Sequence, residues 1–312
     1  MALPILAIGG AVVDRTYLCA NPPSLATSNP VTSHRGLGGV ARNVCESLAR
    51  LGARTRLITA IGDDGGGRAI SESLAAAGVD MRSLLTLCGS STAEYTAAFW
   101  QGELFAGFAD MGIFEALTPD AVAERLPRDL AGWLVFADCN LPAATLAMLA
   151  ARAASGPFPL VIDCVSLAKS ERLPKSLAGV SLLTLNGDQA RQVAGIEALP
   201  QAVAAILARG CERVTLTLGA NGLIAYEGGA KTEFAAPKVP VVSVSGAGDA
   251  LIAGTLLGLS EGGSLSASIL FGLAATELTL QSIESVPPGL NRALLEATMK
   301  QRQTISGEPD AH

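Results

Sequence analysis

An unbroken apolar run, LPILAIG at residues 3–9, opens the chain and predicts a strand buried on both faces. The residues after it, Gly9-Gly10-Ala11-Val12-Val13-Asp14-Arg15-Thr16-Tyr17, keep a strand-like pattern. A dinucleotide fold needs a helix to open at such glycines, so this stretch argues against one. From Gly38 to Gly52 the period changes: Val40, Val44, Leu48 and Leu51 fall at helical spacing, and Gly52 suits the stop. A strand over 55–62 (TRLITAIG) and a helix over 68–78 (RAISESLAAAG) follow, which makes a parallel α/β unit.

Residues 92–110 break that rhythm. TAEYTAAFW and ELFAGFAD predict two strands joined at Gln101-Gly102 with no helix between them. Together with 12–20 and roughly 30–36 they predict a small separate sheet, a lid beside the main body. The α/β alternation resumes from 119, with strands expected at 133–138, 159–163, 181–185 and 213–218 and helices between them. A β-rich stretch at 222–243 precedes a helical C-terminal third that begins near Gly246, and a polar tail is expected over 304–312. The expected fold is one α/β domain over 1–312: a three-layer α/β/α sandwich with a mostly parallel sheet and the small β lid.

Composition narrows the chemistry. Over 312 residues, 49% are hydrophobic and mean hydropathy is +0.40, enough for a large core. Aromatics are only 4% against 34 glycines, which favours close helix–sheet packing. A net charge of −6 argues against broad binding to nucleic acid or anionic membranes, though not against a small anion held by backbone amides. With only His34 and His312, a His-rich zinc site is excluded and a Ser-His-Asp hydrolase would rest on His34. Cys19, Cys45, Cys88, Cys139, Cys164 and Cys211 form no C-x-x-C, as expected of reduced thiols in a cytoplasmic protein. No positive side chain precedes Arg15, and the uncharged run between Glu261 and Glu277 is too short and too polar to span a bilayer.

The most informative segment is Val244-Ser245-Gly246-Ala247-Gly248-Asp249, a Gly-rich turn entering an apolar helix. Free N–H groups at such a helix start, with the helix dipole behind them, can hold a phosphate. A carboxylate there repels phosphate, but it suits a base that takes a proton from an attacking hydroxyl. An ordinary helix start with a favourable Asp accounts for the same residues equally well. No G-x-x-x-x-G-K-[ST] exists, so a P-loop is excluded. A second helix start, Gly36-Leu37-Gly38-Gly39-Val40-Ala41-Arg42-Asn43, places Asn43 one turn in, where it could hold a polyol hydroxyl; alone, it reads as helix packing.

The G-G-x-x-x-N start at Gly38–Asn43 and the G-A-G-D turn at Gly246–Asp249, in this order with lid strands between, resemble the ribokinase-like (PfkB) family of carbohydrate and nucleoside kinases. The likeness runs from Ile5 to about Leu290. Within the family it is greatest to the branch acting on pseudouridine. Four stretches carry this: Ile8 to Asp14, Thr27 to Pro30, Phe108 through Pro119, and Asp163-Cys164-Val165-Ser166 to Lys169, together with Val244. The resemblance implies transfer of phosphate from ATP, with Mg²⁺, to the 5′-hydroxyl of pseudouridine. It leaves open another nucleoside or a free sugar such as ribose, and a nucleoside sensor without turnover. Asp249 would be the base and Gly246, Ala247 and Gly248 the anion hole. Asp14, Gly38, Gly39, Asn43 and Asn140 would bind the ribose, and Lys169 would reach the base or a phosphate. Asn186, Thr217 and Gly219 would touch ATP, with Ala274, Ala275 and Leu278 lining an adenine slot.

Two positions depart from the family pattern. The N-x-x-E element is Asn186-Gly187-Asp188-Gln189, without its last carboxylate, so metal ligands stay unassigned. Ser243 stands where sugar kinases carry an Asp, which leaves K⁺ an open question. His34 is expected on a loop before the glycines. Apolar Phe99, Trp100, Phe105 and Phe108 on the lid predict a homodimer built through it.

Overall fold

The computed structural model describes residues 2–156 and 158–306. His312 and the end of the expected polar tail lie outside the described residues. In chain order the elements begin with β1 (Ile5–Ile8), β2 (Val12–Cys19), β3 (Val31–Gly38), α1 (Val40–Arg50), β4 (Thr55–Ile58), β5 (Ala60–Gly62), α2 (Gly65–Ala76) and β6 (Leu85–Leu87). They continue through β7 (Glu94–Trp100), β8 (Glu103–Asp110), α3 (Pro119–Ala123), β9 (Leu134–Asp138), α4 (Ala143–Ser155), β10 (Leu160–Asp163) and α5 (Leu167–Ser170). Next come β11 (Val180–Asn186), α6 (Gly187–Ala194), α7 (Leu199–Ala208), β12 (Arg213–Thr217), β13 (Leu223–Glu227) and β14 (Ala230–Phe234). The chain closes with α8 (Ala247–Ser260), α9 (Leu265–Leu280) and α10 (Arg292–Ser306).

The main sheet has the order β14-β13-β12-β11-β10-β9-β1-β4, parallel except for the hairpin β13–β14 and its pairing to β12. All four residues of β1 are fully buried, because strand alternation sends Ile5 and Ala7 to one core and Leu6 and Ile8 to another. The first core is closed by α1, α8 and α9, and the second by α4, α6 and α7. That is the expected three-layer arrangement.

The small sheet, β3-β2-β7-β8, is also present. Its β7–β8 hairpin turns at Gln101 (φ 51°) and Gly102 (φ 84°), the left-handed pair that matches strand twist. Four details differ from expectation. The strand expected at 55–62 breaks at buried Thr59, and β5 leaves the main sheet to pair with β6 in a third, two-stranded sheet. Next, α2 begins at Gly65, not Arg68, because the Asp64 side chain accepts from the Gly67 N–H at 2.8 Å and caps the glycines. His34 lies on β3, opposite Thr16, and not on a loop. Finally, strand structure in 222–243 ends at Phe234, and α10 carries helix three residues into the expected tail.

Candidate active site

The first turn of α8 carries Asp249 within reach of the charges of Asp138, at the end of main-sheet strand β9, and of Asp14, on small-sheet strand β2. No side chain caps this helix, and the amides of Gly248 and Asp249 have no acceptor among the described residues. Two free N–H groups at the positive end of a 14-residue helix suit an anion. The two glycines of the turn do different work. Gly246 has φ +76°, and a Cβ on it would stand 2.2 Å from the Ser285 carbonyl oxygen. A Cβ on Gly248 would meet nothing within 4 Å, so the space beside its backbone is open.

Asp249 and Asn43 are brought together from 206 residues apart: the Asn43 Nδ2 donates to Asp249 Oδ2 at 2.7 Å. Asn43 Oδ1 in turn accepts from the Arg42 guanidinium at 2.8 Å. Buried Arg42 also donates to the Leu37 carbonyl, to Ser73 and to Glu46, which ties β3, α1 and α2 together. Sequence reasoning passed over Arg42, since an Arg and a Glu four apart on a helix ordinarily form a solvated pair. Burial, first, pushes the Asp249 carboxyl up to about 6, reinforced by the charges of Asp138 and Asp14 and opposed by Asn43 and Arg42.

Asp14, on β2, is likewise pushed up to about 6 by burial, with Arg42 opposing. Its carboxylate makes no side-chain hydrogen bond within the protein among the described residues. It occupies the room left by Gly38, where a Cβ would stand 2.0 Å from Asp14 Oδ2. Asn140 is buried, with its Nδ2 2.6 Å from where a Gly10 Cβ would be. Half-buried Lys169 has its pKa lowered by burial and by Arg172, while Asp138 and Glu115 pull it up. Arg172 itself donates to the Asn140 carbonyl at 2.8 Å, so Lys169 and Asn140 belong to one neighbourhood. Sequence reasoning also missed two carboxylates: Asp138 at the end of β9 and Asp163 at the end of β10, the latter pushed up to about 8 by burial. Both are last residues of predicted strands, and that position is the signal that was available.

This constellation covers a chain whose residues 4–290 match the pattern of the pfkB family carbohydrate kinases. The chain belongs to the pfkB family. It is 27% identical over 296 residues to the pseudouridine kinase of Escherichia coli, covering 93% of this chain and 94% of that one. A carbohydrate kinase from Agrobacterium tumefaciens superposes with a TM-score of 0.80 at 29% identity, covering 96% of this chain and 97% of that chain. Arabidopsis thaliana ribokinase, solved with ribose and ATP, shares the fold with a TM-score of 0.81 at 20% identity, covering 96% and 99%.

Further along this pfkB chain's sheet, Asn186 and Thr217 are register partners at the ends of β11 and β12, and Gly219 follows at φ +58°. Asn186 and Gln189 form a capping box: Asn186 Oδ1 accepts from the Gln189 N–H at 2.9 Å, and Gln189 Oε1 accepts from the Asn186 N–H at 2.8 Å. Gln189 therefore serves the helix start, for which an amide oxygen is sufficient. Ala274 and Ala275, expected along an adenine slot, are both fully buried in the first core. On the same helix α9 packs closely on α8, where a Cβ on Gly254 would stand 2.6 Å from Gly272 Cα. Leu278 is partly exposed and packs on that core.

Kinase membership implies ATP, and the open amides over Gly248 fit its phosphate. For Mg²⁺ the fit is looser. No group of three or more His, Cys, Asp or Glu side chains among the described residues could hold a metal ion, so phosphate oxygens and water would supply most of its ligands. Ser243, in the place that raised K⁺, has its Oγ engaged by the Ser245 N–H at 3.1 Å. No helix among the described residues is long and apolar enough to cross a membrane.

Proposed function

We propose that the chain phosphorylates the 5′-hydroxyl of pseudouridine with ATP and Mg²⁺ in the cytoplasm. The observation that carries the kinase chemistry is the 2.7 Å contact between Asn43 and Asp249, which joins the polyol-binding helix start to the anion-binding one. The preference for pseudouridine rests on likeness over nearly the whole chain to a pseudouridine kinase. Asp14, Asn43 and Asn140 hold the ribose, with Gly38 and Gly39 letting it approach the backbone. Lys169 faces the base. Asn186, Thr217 and Gly219 border the nucleotide.

Asp249 takes the proton of the 5′-hydroxyl as its oxygen attacks the γ-phosphorus; the bond to the bridging oxygen breaks, and its electron pair leaves with ADP. Gly246, Ala247 and Gly248 shape the cradle for the transferring group, where backbone N–H groups offset its charge. Only the ionised Asp249 accepts a proton, so turnover rises with pH through about 6 and is lost below it.

A panel of pseudouridine, uridine, adenosine and ribose, each with ATP, tests the acceptor. The expected result is a kcat/KM for pseudouridine at least about tenfold above the others, the equivalent of one good polar contact. A clear preference for ribose, the sugar bound by the Arabidopsis ribokinase, would replace the nucleoside reading with a sugar kinase. Ligand binding without ADP release would make the chain a sensor.

The small sheet exposes Leu18, Leu104, Phe105 and Phe108, the last at 66%. Such a surface beside free strand edges supports a homodimer through the lids. Sedimentation at micromolar concentration should give twice the 31.7 kDa of one chain. A lone monomer there rejects the dimer.

A further inference from the structure

We propose that Asp138 is a positioning residue for phosphoryl transfer, whose buried carboxylate caps α1 from 97 residues away and locks the sugar-binding segments in one frame. This rests on the kinase reading above and adds a part to it. Gly39, the N-cap of α1, has no side chain with which to cap it. Asp138 Oδ2 takes that place, accepting from the Ala41 N–H at 2.9 Å and from the Gly10 N–H at 3.0 Å. Its Oδ1 accepts from the Asn140 N–H at 2.9 Å. The Gly10 carbonyl closes the ring by accepting from the Arg42 N–H at 3.1 Å.

One fully buried carboxylate thus fastens three chain segments. The first is the turn that leads to Asp14, the second the helix start that carries Asn43, and the third the residue that presents Asn140. The glycines around it are shaped to this fit. A Cβ on Gly9 would stand 2.3 Å from Asp138 Cγ, and one on Gly39 would stand 2.5 Å from the Gly10 carbonyl oxygen. All three backbone partners are donors, and none could accept a proton from the carboxyl. They and the helix dipole favour the charged form, although burial pushes its pKa upward. The fixed charge also reaches the base. The groups acting on Asp249 are Asn43 and Arg42 from α1, Asp14 from β2, Asp138 from β9 and Asp163 from β10. Removing the Asp138 charge takes away one of the contributions that raise the Asp249 pKa.

Asp138→Asn keeps the volume, removes the charge and sets an NH₂ group against at least one N–H. It is measured with whichever acceptor the wild type phosphorylates; a wild type that phosphorylates none defeats the kinase reading and this proposal with it, whereas an active wild type with an unaffected variant defeats this proposal alone. The expected result is a kcat/KM for acceptor lower by about tenfold or more, the scale of a misplaced reacting group, with KM for ATP within about twofold. The acid limb of the kcat profile should move to lower pH. Wild-type acceptor kinetics with an unmoved limb overturn the proposal. So does an equal loss toward acceptor and ATP with an unmoved limb, the mark of a residue that only supports the core. Asp138→Ser, smaller and still an acceptor, is the second variant should the first fail to fold. A chain that folds with neither makes Asp138 a keystone of folding and also overturns it.

Discussion

Asp249→Asn should lower kcat by about 10²–10⁴-fold, the usual contribution of a positioned base, while the enzyme stays folded and still binds both substrates. The substitution keeps the shape and the helix start and removes only the proton acceptor. An amide oxygen can still accept from Asn43 Nδ2, so the 2.7 Å contact has a replacement. Acceptor and nucleotide affinities, read by calorimetry, should therefore change little. The residual activity should also lose its rise through about pH 6, because the group responsible for it is gone. Were Asp249 only a favourable charge at the end of α8, the same change would cost about 0.3–1 kcal/mol of stability and leave turnover near normal. A folded variant with near-wild-type kcat would therefore refute the mechanism.

The second large effect separates two glycines that look alike in sequence. Gly246→Ala places a Cβ 2.2 Å from the Ser285 carbonyl oxygen on a residue at φ +76°. Left-handed strain and overpacking together should cost about 2–5 kcal/mol, visible as a lower midpoint in denaturant. Gly248→Ala meets nothing within 4 Å, so its denaturation midpoint should stay close to wild type. Its new methyl group instead enters the space above the free amides, where phosphate would lie. Turnover should fall by about 10²-fold, the scale of losing one oxyanion donor. If the two variants lose stability equally, or if Gly248→Ala keeps full turnover, the division of labour within the turn is wrong.

Much of the architecture was legible because strands and helices print their periods on the chain. The apolar run of β1, the spacing of Val40, Val44 and Leu48, and the helix-free 92–110 stretch were sufficient for a parallel sheet and a separate small one. The places where the reading slipped share a cause. At Thr59 nothing local announces that β5 leaves the main sheet, since its partner β6 lies more than twenty residues on. At Ala274 and Ala275 the family resemblance implies a ligand slot, whereas both side chains are fully buried in the first core. Gln189 read as a lost carboxylate, yet it completes a capping box with Asn186 that an amide fills as well.

By itself, then, the sequence determined the layer order, the two glycine-rich helix starts and the residue types available for phosphoryl transfer. Those are local properties, set by hydrophobic period, backbone freedom and side-chain chemistry. The tertiary structure alone decided which of them act together. It set Asn43 against Asp249, pressed Asp14 into the space of the absent Gly38 Cβ, and brought Asp138 to the unfilled cap of α1. It also buried four carboxylates, Asp14, Asp138, Asp163 and Asp249, deep enough to raise the pKa of each, and set Asp163 and Asp249 close enough to other carboxylates to raise theirs further. Burial and proximity between residues far apart in the chain exist only once the sheet has formed, and so no local pattern could have stated them.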